Sequence, residues 1–113
     1  MEYKSPVYNV IAVSVEKVVP NTYNPNAVAP PEIRLLYDSI KNDGYTMPIV
    51  CYHDKAEDQY IIVDGFHRYR IMLEHPDIYQ REHGLLPVSV IEKPLEQRMA
   101  STIRHNRARG SHD

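Results

Sequence analysis

Short runs of β-branched and aromatic residues, separated by polar segments, recur along this chain and predict strands. Four runs contain few breaking residues: VYNVIAV (7–13), PIVCYHD (48–54), QYIIVDG (59–65) and PVSVIE (87–92). The polar stretch KAED lies between the second and third runs and predicts a hairpin loop. The segment VEKVVPNTYNPNAVAPP follows the first run and is rich in Pro and Asn, which favours an ordered loop.

Apolar residues at helical spacing predict a helix over about residues 31–42. Pro31 suits the first turn, where a missing N–H costs nothing, and Gly44 suits the end of the helix. One face of this segment is apolar and carries Ile33, Leu36, Tyr37 and Ile40.

Two further helices are predicted later in the chain. A short one begins directly after Gly65 and stops before Pro76, and another opens at Pro94. The helix from Pro94 is predicted from an apolar stripe along one face, formed by Leu95, Met99 and Ile103. The segment DIYQREHGLL has weak periodicity and predicts a turn or an irregular helix.

These elements predict an α+β domain in which a small mixed β-sheet packs with about three to four helices. A length of 113 residues suits one domain over residues 1–113. Hydrophobic residues make up 42% and charged residues 25%, a globular balance that argues against wholesale disorder. The charged ending RARGSHD, directly after a predicted helix, is the pattern we expect of a truncated C-terminus.

Charge and cysteine content exclude several classes of protein. The net charge is −2, which argues against a general polyanion binder, although four arginines against Glu96 and Asp113 give residues 95–113 a charge of +2. The single cysteine, Cys51, excludes an internal disulfide framework, and the six histidines lack metal-binding spacing. We expect no metal site, no membrane span and no export signal, and we expect a cytoplasmic protein.

The most informative segment is IVDGFHRYR, residues 62–70, in which a strand gives way to a helix. The first amides of a helix lack acceptors inside it, and the helix dipole makes that end positive, so it attracts anions. Gly65 allows close approach of a phosphate, Arg68 can donate two hydrogen bonds to phosphate oxygens, and His67 can donate or exchange a proton. This pattern favours a phosphate site.

A purely structural interpretation stays open for the same residues. Arg68 can pair with Asp64 or Glu74, and His67 can act only as a cap. Asp64 itself suits either a general base or magnesium ligand, or a carboxylate that anchors the turn. Cys51 is expected to be a small core residue, and Tyr37, Tyr60 and Tyr69 core or rim residues.

Three short sequence motifs, referred to as boxes, resemble the characteristic motifs of the ParB/sulfiredoxin superfamily and occur in the same order. SIKNDGYTMPIV (39–50) resembles the first box, GFHRYR resembles the second box and RHNRARG (104–110) resembles the third box. In addition, VEKVVPNTYNPN resembles the opening segment of partition-protein N-terminal domains. The similarity covers about residues 15–110. The amino-acid sequences of the boxes most resemble those of the IbrB-like branch of co-regulators.

The resemblance implies a site for nucleotide phosphates, with CTP or ATP as the ligand. The second box contributes Gly65, Phe66, His67, Arg68 and Arg70; the third box contributes Asn106 and Arg109; and the first box adds Gly44 and Pro48 as another wall. It also implies a transcriptional co-regulator or DNA-associated switch, and a partner protein resembling phosphoadenylylsulfate reductases.

Departures from the superfamily pattern limit the chemistry. Phe66 stands where sulfiredoxins have their nucleophilic cysteine, so sulfiredoxin activity is not expected. His105 replaces an acidic residue of the third box, which disfavours magnesium and therefore hydrolysis more than nucleotide binding. An ATP- or CTP-dependent phosphotransferase or nucleotide hydrolase, with Asp64 and His67 as catalytic residues, stays an alternative, and a DNA nuclease a weaker one.

Overall fold

A mixed five-stranded sheet organises the part of the chain that the structure, a computed structural model, describes: residues 5–21, 30–92 and 104. The strands are β1 (Ile11–Ser14), β2 (Val18–Val19), β3 (Ile49–Asp54), β4 (Gln59–Asp64) and β5 (Leu85–Val90), in the spatial order β1-β5-β3-β4-β2. The pairs β1–β5 and β3–β4 are antiparallel, and the pairs β3–β5 and β2–β4 are parallel. This confirms the predicted α+β class with a mixed sheet.

Three α-helices accompany the sheet in the described residues: α1 (Pro30–Asp43), α2 (Phe66–Glu74) and α3 (Pro76–Arg81). The first two agree with the predicted helices, and α3 occupies the segment whose periodicity was too weak to predict a regular element. Proline at the start of α3 fixes its first turn, and the helix buries Ile78 in the core. The helix predicted from Pro94 lies outside the described residues, apart from Arg104, which is helical and exposed.

The N-terminal region differs from the predicted strand over residues 7–13. Pro6–Tyr8 form a 3-10 helix, and β1 begins only at Ile11 and continues to Ser14. Proline cannot donate a ladder hydrogen bond and fixes φ, which favours the turn despite the β-branched neighbours. The following segment, predicted to be a loop, contains a second 3-10 helix (Val15–Lys17) and the two-residue strand β2.

The core lies where the helices meet the central strands β3, β4 and β5. Its most completely buried side chains come from these strands and from α2 and α3: Ile49, Tyr52, Ile62, Ile71, Met72, Ile78, Leu86 and Val88. Cys51 is also fully buried, and burial raises the pKa of its thiol to about 12, so it stays protonated near neutral pH. This confirms that Cys51 is a core residue.

The hairpin of β3 and β4 determines where the candidate site lies. Its register shifts between Val50 and Cys51, so that Val50 pairs with Asp64 while Cys51 pairs with Ile62. This bulge is next to the point where β4 ends and α2 begins. The start of β3 and the end of β4 therefore lie side by side, and the segments that flank them meet at one end of the sheet.

Candidate functional site

The junction between β4 and α2 has the geometry that the sequence predicts. β4 ends at Asp64, Gly65 adopts the left-handed conformation with φ 102°, and α2 begins at Phe66. The Gly65 carbonyl accepts the first bond of the helix from the Tyr69 amide, at 3.0 Å. Gly65 is thus the N-cap of α2, and it has no side chain to bond the first amides or to cover them.

The backbone at Gly65 is in close contact with its surroundings. A Cβ atom added there would lie 2.9 Å from Nη2 of Arg68 and 3.2 Å from Cδ1 of Ile49. Ile49 is fully buried, so it cannot easily move aside. Glycine is therefore required at this position both by its backbone conformation and by the space available.

Arg68 is buried, with 7% of its surface exposed, and its guanidinium folds back across Gly65. Nη2 of Arg68 donates a hydrogen bond to the Pro48 carbonyl at 3.1 Å. Of the two acidic partners that the structural alternative gave Arg68, Asp64 and Glu74, the second accepts hydrogen bonds from Arg70. Arg68 instead connects the first turn of α2 to the residue immediately before β3.

The predicted second wall of the site is the connection between α1 and β3. Gly44 follows the last residue of α1 with φ 79°, and its amide donates to the Ile40 carbonyl at 2.8 Å. The Arg81 guanidinium donates to the carbonyls of Ile40 at 2.9 Å and Lys41 at 2.8 Å, which caps the C-terminus of α1. The contacts join three of the predicted residues, Pro48, Gly65 and Arg68, whereas Gly44 lies at the end of α1 beside Tyr45.

Tyr45 belongs to this site although the sequence analysis did not select it. Its hydroxyl donates to the backbone carbonyl of Arg68 at 2.9 Å, and its half-buried ring packs against the core. Burial raises the pKa of the Tyr45 hydroxyl well above its usual range, and the Glu82 carboxylate adds to the shift. A tyrosine between a helix-ending glycine and a proline gives no signal in the sequence, because its partner is a backbone atom 23 residues away.

The two candidate catalytic residues, Asp64 and His67, flank Gly65. Asp64 is half-buried at the end of β4, and His67 is half-buried in the first turn of α2. The His67 ring meets the edge of the Phe66 ring, with the centroids 5.4 Å apart. Nδ1 of His67 is shielded from solvent. The structure places both residues within one turn of the same glycine.

Phe66 and Arg70 lie one helical turn apart on α2, and their side chains are in contact. Phe66 packs against the core, and the Arg70 guanidinium lies 5.9 Å from the centre of the Phe66 ring. Nε of Arg70 donates to Glu74 at 3.0 Å, and both side chains are nearly half exposed. Arg70 is therefore exposed and paired with Glu74, in contrast to the buried Arg68.

The other predicted site residues, Asn106 and Arg109, lie outside the described residues. Among the residues that are described, no group of three or more potential ligands could hold a metal ion. None of the described helices has the length and apolar character needed to cross a bilayer. Tyr69 lies in the core, and Tyr37 and Tyr60 pack against it, as expected.

Sequence comparison gives two results. The model of the ParB N-terminal domain family matches residues 1–98. The uncharacterized protein YbdM of Escherichia coli strain K12 is 50% identical over 110 residues, which are 96% of this chain and 52% of YbdM. The chain thus spans about half the length of this relative.

Comparison with solved structures supports the same fold at low sequence identity. The C-terminally truncated chromosome-partitioning protein ParB of Caulobacter crescentus, complexed with CTP-γ-S, matches with a TM-score of 0.66 and 21% identity, over 87% of this chain and 52% of that one. A ParB structure from the same organism, complexed to the centromeric parS site, matches with a TM-score of 0.60 and 18% identity, over 85% and 46%.

A free serine kinase in complex with AMP matches with a TM-score of 0.52 and 20% identity, over 74% of this chain and 31% of the kinase. The fold is thus shared by ParB proteins and by this kinase. The order of the boxes in the sequence, the mixed sheet, the glycine-capped α2 and the family match agree with one another: the chain belongs to the ParB N-terminal domain family.

Proposed function

We propose that this chain is a nucleotide-binding regulatory module whose site lies between the α1–β3 connection and the first turn of α2. The proposed ligand is CTP or ATP, held through its phosphates. The observation that carries the proposal is the hydrogen bond from Arg68 to Pro48, which joins the two predicted walls of the site. The proposed binding residues are Gly44, Pro48, Gly65, Phe66, His67, Arg68, Arg70, Asn106 and Arg109.

The electrostatics of α2 support an anionic ligand. α1 and α3 each carry an acidic residue in the first turn, Glu32 and Asp77, which balances the positive end of the helix. α2 has no acidic residue in its first turn and carries His67 and Arg68 there. A phosphate bound at Gly65 would supply the missing negative charge and would meet backbone N–H donors without an intervening Cβ.

Proteins of the same fold support a nucleotide as the source of that phosphate. One ParB structure contains CTP-γ-S and the free serine kinase contains AMP, although both are near 20% identical to this chain. In the proposed mechanism, occupation of the site by nucleotide stabilises one arrangement of the chain and changes its affinity for DNA or a partner protein. A partner resembling phosphoadenylylsulfate reductases and a transcriptional co-regulator role, as in the IbrB-like branch, are part of the proposal.

The experiment is a calorimetric titration of the chain with CTP, ATP, GTP and pyrophosphate, at constant ionic strength. We expect saturable binding that His67→Ala weakens and that His53→Ala leaves unchanged. His53 is a matched control because it stacks on Tyr60 at the opposite end of the β3–β4 hairpin. Absence of binding by all four ligands at millimolar concentration contradicts the proposal.

The regulatory part of the proposal has its own measurement. Fluorescence anisotropy of a labelled DNA duplex, with and without saturating nucleotide, should show a nucleotide-dependent change in affinity at low salt, and this affinity should fall as salt rises. An affinity for DNA or partner that is identical with and without bound nucleotide contradicts regulation while leaving nucleotide binding in place.

An enzymatic role as phosphotransferase or nucleotide hydrolase is the second candidate. It is favoured by the position of Asp64 and His67 on either side of Gly65, where an acid–base pair could reach a bound phosphate. Release of inorganic phosphate, or transfer to free serine, should then be lost in both Asp64→Asn and His67→Ala. Absence of turnover with any divalent metal contradicts this candidate and leaves the binding module.

A further inference from the structure

We propose that Tyr45 is a positioning residue that sets the separation between the two walls of the phosphate site. This inference rests on the proposed function, because it assigns a role within the same site. Tyr45 belongs to the α1–β3 wall and reaches across to the backbone of the α2 wall. Neither the box pattern of the sequence nor the comparisons assign it a role.

The two walls are joined by hydrogen bonds that run in opposite directions. The Tyr45 hydroxyl donates to the Arg68 carbonyl at 2.9 Å, and the Arg68 guanidinium donates to the Pro48 carbonyl at 3.1 Å. Each bond takes a side chain from one wall and a backbone carbonyl from the other. Two bonds of this kind restrict sliding as well as separation, because both would have to break for the walls to move apart.

The hydrogen bond from Tyr45 is additional to the backbone hydrogen bonds within α2. The carbonyl of a residue in the first turn of an α-helix accepts a hydrogen bond from the amide four residues later. Its second lone pair is available to the Tyr45 hydroxyl, so α2 forms with or without this contact. The contact with Tyr45 therefore affects the position of the first turn of α2 more than its formation.

The Tyr45 wall is itself held in place. Gly44 turns the chain at the end of α1, where Arg81 caps the carbonyls of Ile40 and Lys41. The Tyr45 ring is packed against the core, and its raised hydroxyl pKa keeps the donor proton in place at physiological pH. The backbone and ring of Tyr45 are thus held in place, and its hydroxyl remains a hydrogen-bond donor, as a positioning residue requires.

The test compares Tyr45→Phe with Tyr37→Phe. Each change removes one hydroxyl and keeps the ring, and Tyr37 is the matched control because its hydroxyl donates to Asp77 at 2.7 Å, between α1 and α3. Pyrophosphate and orthophosphate are titrated into both variants and the parent chain by calorimetry. Thermal melting of all three chains confirms that the titrations are made on folded protein.

We expect Tyr45→Phe to weaken pyrophosphate binding by about three- to tenfold, the worth of one hydrogen bond, because a diphosphate contacts both walls. Orthophosphate, which occupies only the first turn of α2, should change by less than about twofold in this variant, and Tyr37→Phe should leave both affinities unchanged. A purely structural role of Tyr45 would change the affinities for pyrophosphate and orthophosphate equally.

The possible failures are distinguishable. Equal affinities in Tyr45→Phe and the parent chain, or equal losses for both anions, overturn the role of Tyr45 and leave the proposed function standing. Absence of pyrophosphate and nucleotide binding to the parent chain overturns both. If Tyr45→Phe melts far below Tyr37→Phe, amide hydrogen exchange at low temperature replaces the titration. Faster exchange confined to residues 44–48 and 65–68 supports the inference, and a uniform increase over the sheet overturns it.

Discussion

Gly44 follows α1 and Gly65 precedes α2, and the surroundings of these two glycines differ. Both have left-handed backbones beside a helix end, with φ 79° and 102°. Within the described part of the chain, a Cβ at Gly44 would meet no atom within 4 Å, whereas a Cβ at Gly65 would meet Arg68 and Ile49. Gly44 is required only by the backbone, while Gly65 is required by the backbone and by close contacts.

The difference comes from the buried guanidinium of Arg68 and from Ile49, which crowd Gly65. Both side chains lie on the side of Gly65 toward which a Cβ would point. A helix start with this much support keeps its amides in fixed positions, which is the requirement for binding an anion without reorganisation. The same support makes the glycine sensitive to any added atom.

The largest expected effect separates the two glycines directly. Gly65→Ala should lower the free energy of unfolding by about 3–4 kcal/mol, because a left-handed alanine and an overpacked contact each cost about 1–3 kcal/mol. Gly44→Ala should cost only about 1 kcal/mol, from the backbone conformation alone. Urea denaturation of the two variants and the parent chain measures both values.

Equal losses of about 1 kcal/mol in the two variants would show that the crowding at Gly65 relaxes without cost. Equal losses of about 3–4 kcal/mol would instead indicate crowding at Gly44 as well, which would contradict the open space beside it. A wild-type-like Gly65→Ala would contradict the positive φ at that position.

Arg68→Ala should have the next largest effect, a loss of about 2 kcal/mol, because the Pro48 carbonyl loses a charged donor and the aliphatic stem loses its packing. The double variant Gly65→Ala/Arg68→Ala tests the contact itself. Removing the guanidinium also removes two of the three close contacts of the new Cβ. The two losses should therefore sum to more than the loss in the double variant, as a double-mutant cycle would show. Strict additivity would contradict the contact.

Much of the fold is predictable from the sequence because burial and periodicity agree there. β3, β4 and β5 and the helices α1 and α2 appear close to their predicted ranges. α3 and β2 are harder to predict, since α3 has six residues and β2 has two, and both are stabilised by tertiary contacts. The 3-10 helix at Pro6 replaces the predicted start of a strand for a local reason, the fixed φ of proline.

The site is predictable in its residue types but less so in its contacts. Gly65 and Arg68 are visible in the sequence as a glycine before a basic helix start. The acceptor of Arg68 is a backbone carbonyl 20 residues earlier, and Tyr45 also bonds a carbonyl. Backbone acceptors have no residue signature, so only the fold reveals which side chains reach them.

A smaller effect is expected at Cys51, which lies on β3 two residues after Ile49. The buried thiol must be exposed by local opening before it reacts, and Gly65→Ala should promote that opening more than Gly44→Ala. We expect labelling by a thiol reagent to be about tenfold faster in Gly65→Ala than in Gly44→Ala, a difference of about 1.4 kcal/mol in opening.

The pH dependence identifies the reacting state of Cys51. Burial raises the pKa of the folded thiol to about 12, whereas an opened chain has an ordinary thiol. Labelling through opening should rise with pH and level off near pH ~8.5. A rate that continues to rise toward pH 12 would show reaction of the folded state, and it would contradict the opening mechanism.

The smallest effect is expected at Arg70, the exposed counterpart of the buried Arg68. Arg70→Ala should cost about 0.5 kcal/mol or less, the usual worth of an exposed i,i+4 ion pair, and the loss should shrink at high salt. Glu74→Ala removes the same ion pair but keeps the contact of the Arg70 guanidinium with the Phe66 ring, so it should cost no more stability than Arg70→Ala. The two variants differ in what they leave behind, because Glu74→Ala releases the Arg70 guanidinium near the positive end of α2. Pyrophosphate affinity should therefore fall slightly in Arg70→Ala and rise slightly in Glu74→Ala. A change in the same direction in both variants would place the effect in the stability of α2, and Arg70 would then be excluded from the phosphate site.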